Sequence, residues 1–398
     1  MTDAHPAIEP EQFPFERVSI TGGTGTVGSQ FLKVLLAQFP HLERINTTCR
    51  PCSPRARRMP DAPRLNVVKG SINDLDVLRA MADGGQVVYH LAAWLANTAM
   101  PDMTTVYVTN SLSAGVLARL CARRGRRLVF TSSHSVYFAG PYRGRIEQDG
   151  YPFREDFVRW IGDVSGQYYE LMDAIIEDAT DFDAAPGAIR QIHDAHPPPF
   201  EPKIYDRDEY HLYCLTKLLA ERFVLDQGGV VLRLSNVYGP GDESTQAVGE
   251  VCQRLLAAEP GDRLEVRQPF KKLVPNYLGD IIKACVRAGG LDLPEGVPPL
   301  FTVASQEGYL REDALLRAAA EALNRIRGTD HDCDIERLPP EEETAFTYDL
   351  SKVRRLLLYG EELTPFEDGI AEQLKWLIAR SEGREPPGPA LTIRFAGD

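Results

Sequence analysis

Short apolar and β-branched segments alternate with helical segments through the first 240 residues, and this alternation constrains the fold more than any other feature. Helical segments separate most of the six predicted strands, which lie at residues 17–20, 45–49, 65–68, 87–91, 127–131 and 230–234. Strands that alternate with helices of this length form right-handed βαβ units and a parallel sheet buried on both faces. We therefore predict an α/β protein with a doubly wound parallel sheet.

Two regions depart from the alternation and define the predicted domains. Residues 143–205 form an insert within the sheet domain at 15–240, and an amphipathic stripe runs from Phe157 to Ile175. We expect the insert either to cover the substrate cleft as a lid or to lie in a dimer interface. Residues 241–381 are predicted to form a smaller, mainly helical lobe, and residues 382–398 a mobile tail.

Composition excludes several classes of protein. The 398 residues carry a net charge of −13, which disfavours binding to nucleic acid or to an anionic membrane. The sequence contains no run of eighteen apolar residues, so no membrane span is predicted, and residues 1–16 do not resemble a signal peptide. The seven cysteines are typical of reduced thiols, which predicts a cytoplasmic protein. We predict no metal site, because Cys49 and Cys52 lack a second pair, and His193 and His196 a third ligand.

A glycine-rich segment follows the first predicted strand. Residues 21–28 read Thr-Gly-Gly-Thr-Gly-Thr-Val-Gly, with glycines at positions 22, 25 and 28, and a helical segment comes next. A strand that turns sharply into a helix can present its backbone amides to a pyrophosphate, provided that no Cβ blocks the approach. The segment therefore predicts a dinucleotide site.

The end of the second predicted strand bears on the choice of cofactor. NAD sites usually carry an acidic residue there that accepts a hydrogen bond from the ribose 2′-hydroxyl, but residues 47–50 read Thr-Thr-Cys-Arg. Arg50 could bind a 2′-phosphate through its guanidinium group. We therefore predict NADP as the cofactor, with NAD as the alternative.

Two further segments suggest acid–base chemistry. Tyr213 and Lys217 are four residues apart, so on a helix they share a face, where the ammonium group would lower the pKa of the phenol. A hydroxyl-rich segment, Thr131 to Ser135, follows the fifth predicted strand. Residues just beyond the carboxyl ends of parallel strands line the ligand crevice, so these groups are expected to meet there.

Six motifs in this order resemble the extended short-chain dehydrogenase/reductase family, also called the NAD-dependent epimerase/dehydratase family. The resemblance covers most of residues 15–380 outside the insert. The motifs are residues 21–28, His90-Leu-Ala-Ala93, Asn110, Ser132-Ser-His-Ser-Val-Tyr137, Tyr213 with Lys217, and Arg233-Leu-Ser-Asn-Val-Tyr-Gly-Pro-Gly241.

The resemblance implies a role for each matching residue. Tyr213 would be the general acid/base, Lys217 would hold the nicotinamide ribose, and Ser133 would hydrogen-bond the substrate oxygen, with Ser132 as the alternative to Ser133. Together with Arg50, the predicted cofactor-binding residues are Thr21, Gly22, Gly25, Thr26, Val27, Gly28, Leu91, Ala92, Ala93, Asn110, Tyr213, Lys217, Asn236 and Val237.

The implied activity is hydride transfer between a nicotinamide cofactor and a secondary alcohol or ketone of a polar substrate, such as a sugar. One alternative is a nucleotide-sugar epimerase that retains NAD, and another is a non-catalytic protein that senses the cofactor. A dehydratase is disfavoured, because Ser133-His134-Ser135 stands where those enzymes have Thr-Asp-Glu. The resemblance also implies a homodimer that pairs through the two long helices beside the sheet, and a small-molecule substrate as the other partner.

Overall fold

The computed structural model describes residues 13–393 except 52, 57–58, 96–101, 140–143, 147–154, 199–207, 244–246, 270–271, 329–332, 340–345, 359, 385, 387, 390 and 392. Within these ranges the core is a seven-stranded parallel sheet in the order β3-β2-β1-β4-β5-β7-β11. Its strands are β1 (Arg17–Thr21), β2 (Arg44–Cys49), β3 (Leu65–Lys69), β4 (Val87–His90), β5 (Arg127–Ser133), β7 (Val230–Leu234) and β11 (Leu300–Val303). The predicted doubly wound sheet is confirmed.

Helices cover both faces of this sheet, as apolar residues on both sides of its strands require. One face carries α2 (Leu75–Gly84), α3 (Met103–Tyr107), a π-helical turn (Val108–Leu112), α4 (Ser113–Arg123), α5 (Glu155–Ile176), α6 (Ala185–Ala195) and α7 (Asp208–Asp226). The other face carries α1 (Thr26–Gln38), α9 (Leu278–Gly290) and α11 (Ser351–Leu356). A 3₁₀ turn, His134–Ala139, follows β5.

A smaller lobe is built from residues after 235. It contains α8 (Ala247–Ala257), α10 (Glu312–Arg327) and α12 (Phe366–Ser381), which share one apolar cluster. Three short parallel pairs join the remaining strands: β8 (Asn236–Tyr238) with β10 (Pro275–Tyr277), β9 (Arg263–Leu264) with β12 (Asp334–Ile335), and β6 (Gly144–Ile146) with β13 (Phe346–Tyr348). The boundary predicted at residue 240 is imprecise, because α9 and β11 return to the large sheet.

The insert packs against the outer helices of its own chain. The apolar face of α5 joins the core formed by α4 and α7, and Met172 fills the space above Gly115, where a Cβ would lie 2.2 Å from the Met172 methyl group. Asp173 of α5 also forms an ion pair with Arg119 of α4 at 2.6 Å. The helix α5 therefore covers the outer surface of α4 and α7, and the expected homodimer stays a prediction.

The described part of the C-terminal tail is also attached to the protein. The Gln38 side chain donates to the Leu391 carbonyl at 2.8 Å and accepts from the Ile393 amide at 3.0 Å. The Ile393 side chain is buried in the core beneath α1. An apolar side chain and two hydrogen bonds thus attach the described tail residues near Ile393, and the mobility predicted for residues 382–398 stays a prediction. No helix in the described ranges has the length and apolarity to cross a bilayer.

Candidate active site

The predicted glycine loop joins β1 to α1 and leaves no room for side chains at three positions, of which Gly22 and Gly28 face backbone atoms. Gly22 has φ of +80°, and a Cβ there would lie 2.9 Å from the Ala92 nitrogen. A Cβ on Gly28 would lie 2.2 Å from the Gly22 carbonyl oxygen. That carbonyl accepts from the Gly25 amide at 2.9 Å, which closes the turn. Glycine is required here by close backbone approach as well as by backbone conformation.

The first turn of α1 has the properties of an anion site. The helix begins at Thr26 after Gly25, and neither a side-chain cap nor an acidic residue in the first turn competes for its free amides. Unsatisfied N–H groups and the positive end of the helix dipole favour a bound phosphate. The loop and this helix end therefore fit the pyrophosphate of a dinucleotide, with Thr26, Val27 and Gly28 supplying the amides.

The side chain of Thr21, a residue predicted to bind the cofactor, supports the loop from below. It is fully buried, and its hydroxyl oxygen accepts from the amides of Leu91 and Ala92, each at 3.2 Å. The same hydroxyl is 2.7 Å from His90 Nδ1. Burial lowers the pKa of His90 to about 3, so the imidazole is neutral and accepts the hydroxyl proton. Thr21 therefore fixes the chain after β4, including Ala92, beside the glycine loop.

The end of β2 carries no acidic residue, as the sequence indicated. The Thr48 hydroxyl accepts from the Gly22 amide at 3.0 Å, and the Thr47 hydroxyl donates to the Ile20 carbonyl at 2.9 Å. Both threonines therefore brace the glycine loop. Arg50 follows directly and is exposed, so its guanidinium is accessible to a ligand on the adenosine side of the loop.

The three predicted catalytic residues meet at the carboxyl end of β5. Tyr213 and Lys217 lie on α7, and the side chains of Tyr213 and Ser133 are hydrogen-bonded to each other. Lys217 is buried, and its Nζ donates to the Thr131 carbonyl at 3.0 Å. The Ser133 hydroxyl oxygen also accepts from the Ser135 amide at 3.1 Å. A phenol, a hydroxyl and an ammonium group therefore lie at this end of β5, and their catalytic roles stay a prediction.

The ionisation of these groups differs from the expectation. Burial raises the pKa of Tyr213, and only its hydrogen bond with Ser133 acts in the opposite direction. Burial also lowers the pKa of Lys217 to about 7, against a smaller upward effect of Glu221. The expected lowering of the Tyr213 pKa by Lys217 is therefore wrong for this structure, because the lysine nitrogen is bonded to Thr131.

Three other predicted residues make structural contacts. Asn110, in the π-helical turn, accepts from the Trp94 amide at 2.8 Å and donates to the Thr216 hydroxyl at 3.1 Å. The Asn236 side-chain oxygen accepts from the Val274 amide at 3.0 Å and so aligns β10 with β8. Ser132, the alternative to Ser133, donates to Glu221 at 2.5 Å. Ser132 is therefore committed to the protein, whereas Ser133 faces the phenol.

Sequence reasoning missed a buried ion pair beside these residues. Glu221 of α7 and Arg233 of β7 have fully buried side chains, and Arg233 donates to both carboxylate oxygens, with the shortest contact at 2.6 Å. A charged residue inside the apolar strand Val230–Leu234 signals such a partner, because burying an unpaired charge is costly.

Together, the sheet, the glycine loop and the Ser133–Tyr213 pair give an α/β fold whose ligand edge carries both predicted motifs. A model of the "NAD dependent epimerase/dehydratase family" matches residues 18–155. The resemblance predicted from the motifs is thus confirmed over this segment, which is about a third of the chain.

The sequence relatives are all named as 3β-hydroxysteroid dehydrogenases. A "3 beta-hydroxysteroid dehydrogenase/Delta 5-->4-isomerase" of Mycobacterium tuberculosis is 24% identical over 295 residues, which is 71% of this chain and 62% of that protein. A "3-beta-hydroxysteroid dehydrogenase" of Mycolicibacterium neoaurum is 25% identical, over 71% of this chain and 63% of that protein. The chain therefore spans less than two thirds of the length of these relatives.

Solved structures show the same fold. The Bordetella bronchiseptica enzyme WbmH in complex with NAD⁺ has a TM-score of 0.59 at 19% identity, over 92% of this chain and 99% of that one. UDP-glucuronic acid 4-epimerase from Bacillus cereus, in complex with NAD, has a TM-score of 0.59 at 17% identity, over 91% and 98%. At this identity the likeness concerns the fold.

Proposed function

We propose that the protein is an NAD(P)-dependent oxidoreductase that interconverts a secondary alcohol and a ketone. The observation that carries this proposal is the hydrogen-bonded pair of Ser133 and Tyr213, placed with Lys217 at the carboxyl end of β5, next to the strand that precedes Ala92. The glycine loop after β1 opens at the same edge of the sheet. Ligands of doubly wound sheets bind along this edge.

Each residue of the pair has a defined task in this reaction. A bound nicotinamide dinucleotide would donate or accept the hydride. Ser133 orients the substrate oxygen by a hydrogen bond, and Tyr213 donates its phenolic proton to that oxygen as the carbonyl is reduced. Because burial raises the pKa of Tyr213, the phenol is protonated at neutral pH and can act as the acid. Lys217 would hold the nicotinamide ribose from the adjacent helical turn.

For the cofactor, we propose NADP in preference to NAD. The exposed Arg50 follows β2 at the position where an acidic residue would accept from a ribose hydroxyl, and Arg55 is exposed a few residues further on. A guanidinium group can bind a phosphate through two parallel hydrogen bonds, whereas it offers no acceptor to a hydroxyl. Replacing Arg50 with Ala should therefore weaken NADPH binding and leave NADH binding nearly unchanged.

The relatives direct the choice of substrate. Their names include 3β-hydroxysteroid dehydrogenase, so we propose a ring-borne secondary alcohol such as a hydroxysteroid as the first class to test. The polar, sugar-like substrate expected from the motifs is the second class, in line with the fold shared with a nucleotide-sugar epimerase. No comparison or contact favours a non-catalytic cofactor sensor, since Tyr213 and Lys217 are both in place.

Purified protein incubated with a 3β-hydroxysteroid and NADP⁺ or NAD⁺ should produce the ketone and the reduced cofactor, read at 340 nm. Replacing Tyr213 with Phe should lower kcat by about 100-fold or more, because a general acid or base typically contributes that much. Cofactor affinity should be retained. Tyr107→Phe is the matched control, since Tyr107 is also buried and its hydroxyl bonds no described group.

The outcome also separates the two substrate classes. Epimerisation of a UDP-sugar, with NAD retained and no net change at 340 nm, would replace the dehydrogenase proposal with the epimerase. Full turnover by Tyr213→Phe would remove Tyr213 from its role. Failure of the wild-type protein to bind either dinucleotide would refute both versions.

A further inference from the structure

Three successive residues of β5 are bound to three positions on one face of α7. The Thr131 carbonyl accepts from Lys217, the Ser132 hydroxyl donates to Glu221, and Ser133 is hydrogen-bonded to Tyr213. Positions 213, 217 and 221 are each four residues apart, so their side chains align along the helix. The end of β5 and the face of α7 are thus held in one register by these contacts.

Of the three aligned positions on α7, Glu221 is the one that no proposed reaction step uses. Its carboxylate joins two neighbouring strands, because Ser132 of β5 is paired in register with Arg233 of β7 and both donate to Glu221. Arg233 also lies over the Tyr137 ring, 4.8 Å from its centroid, which fixes the guanidinium from the other side. The carboxylate therefore sits at the junction of the helix and both strands.

The charges around Lys217 identify what this junction does. On its own helix Lys217 has Glu221 and the neutral phenol of Tyr213; β5 contributes the uncharged Phe130 ring, 4.6 Å from Nζ. From β4 comes His90, which is neutral because burial lowers its pKa to about 3. Arg233 of β7 contributes a further charge to this group of described residues and is paired with Glu221.

We propose that Glu221 is a positioning residue: Arg233 offsets the effect of its charge on the Lys217 ammonium group, and its bond with Ser132 keeps the end of β5, with Ser133, against Tyr213. The inference rests on the proposed function, in which a protonated Lys217 holds the cofactor ribose. Glu221 favours the charged lysine and Arg233 opposes it, so the pair leaves only a small net effect. Removing either member alone should unbalance the site, and the two removals should act in opposite directions.

The test measures dinucleotide affinity against pH, which needs no knowledge of the substrate. NADPH binding, followed by its fluorescence between pH 5.5 and 9, should weaken as Lys217 loses its proton. Glu221→Gln leaves the Arg233 charge unbalanced, so the midpoint of this loss should move down by about one pH unit or more. Arg233→Gln leaves the Glu221 carboxylate unbalanced, and the midpoint should move up by a comparable amount.

The double variant supplies the rescue. Glu221→Gln combined with Arg233→Gln removes both charges, and its midpoint should return to within about half a pH unit of the wild type, although a structural role alone would make it the worst of the three. Asp226→Asn is the matched control: it removes a carboxylate of α7 that lies nine residues from Lys217, about 13 Å along the helix, and should leave the midpoint unchanged.

The results distinguish this inference from the proposed function. If the wild-type protein binds NADPH but both single variants keep its midpoint, the role of Glu221 is refuted and the proposed function stands. Shifts of the two single variants in the same direction would also refute it. If one single variant does not fold, the direction in which the other variant's midpoint moves and the midpoint of the double variant still decide whether the inference holds.

Discussion

His193 lets the docking of the insert be tested through pH. This residue of α6 is 8% exposed, its Nε2 is 3.2 Å from the Tyr168 hydroxyl of α5, and its ring centroid is 4.2 Å from that of Tyr107. Burial lowers its pKa from 6.5 to about 4. The folded protein therefore holds a neutral imidazole, while the unfolded chain takes up a proton below pH 6.5.

The sign and size of the effect follow from this difference. The stability due to the neutral imidazole is fully present above pH 6.5 and is lost as the pH falls toward about 4. A difference of two to three pKa units corresponds to about 3 kcal/mol of unfolding free energy. His193→Gln retains a neutral hydrogen-bonding group but cannot take up this proton. The variant should be less stable than the wild type at pH 7.5, and this gap should narrow or reverse by pH 4.5.

The assay is urea unfolding of both proteins at several pH values, with Trp160 fluorescence as a local reporter, because its ring centroid is 5.7 Å from that of His193. Acid also protonates His90 and His134, whose pKa values burial lowers to about 3 and about 4. Those contributions are common to both proteins and cancel in the difference. Parallel stability–pH curves would refute the burial of a neutral His193.

Further predictions concern the loop, the insert and the smaller lobe. Gly28→Ala should weaken NADPH binding at least tenfold in a fluorescence titration, since the added Cβ would meet the Gly22 carbonyl. Gly162→Ala, in an open position on α5, should raise the free energy of unfolding by about 0.5–1 kcal/mol. Met172→Ala should destabilise the fold by about 2–5 kcal/mol in urea and expose α5 to limited proteolysis. Asp280→Asn should cost about 1–3 kcal/mol by calorimetry, because its carboxylate accepts from Ser305 and Thr364; unchanged values would contradict each contact.

The sequence predicted the parts of this protein that depend on local pattern. Six strands of the large sheet, the glycine turn and the helical pairing of Tyr213 with Lys217 all follow from periodicity and spacing. The meeting of Ser133 with Tyr213 follows from one rule of topology, since the carboxyl ends of parallel strands share an edge. The seventh strand, β11, was missed because it lies beyond the alternating segments of the first 240 residues and far from β7 in sequence.

The remaining errors concern which neighbour a side chain meets. The stripe from Phe157 to Ile175 shows that α5 buries one face, but periodicity does not identify the surface that covers it, here α4 and α7. Thr21 likewise lies in the nucleotide motif, yet its hydroxyl is occupied by His90, Leu91 and Ala92. A sequence identifies a buried polar group more readily than its partner, because that partner is set by tertiary packing.

The ionisation of the site depends on the same long-range packing. A spacing of four residues on α7 suggested that Lys217 acts directly on Tyr213. In the structure each side chain has its own partner on β5: Thr131 binds the lysine, and Ser133 binds the phenol. The phenol is consequently a protonated acid in this state, which suits reduction of a carbonyl. In the proposed reaction, oxidation of an alcohol would use the phenolate, and a closer approach of the Lys217 ammonium group to the phenol would favour it. The charge balance that Glu221 and Arg233 give to Lys217 would then govern how readily Tyr213 loses its proton.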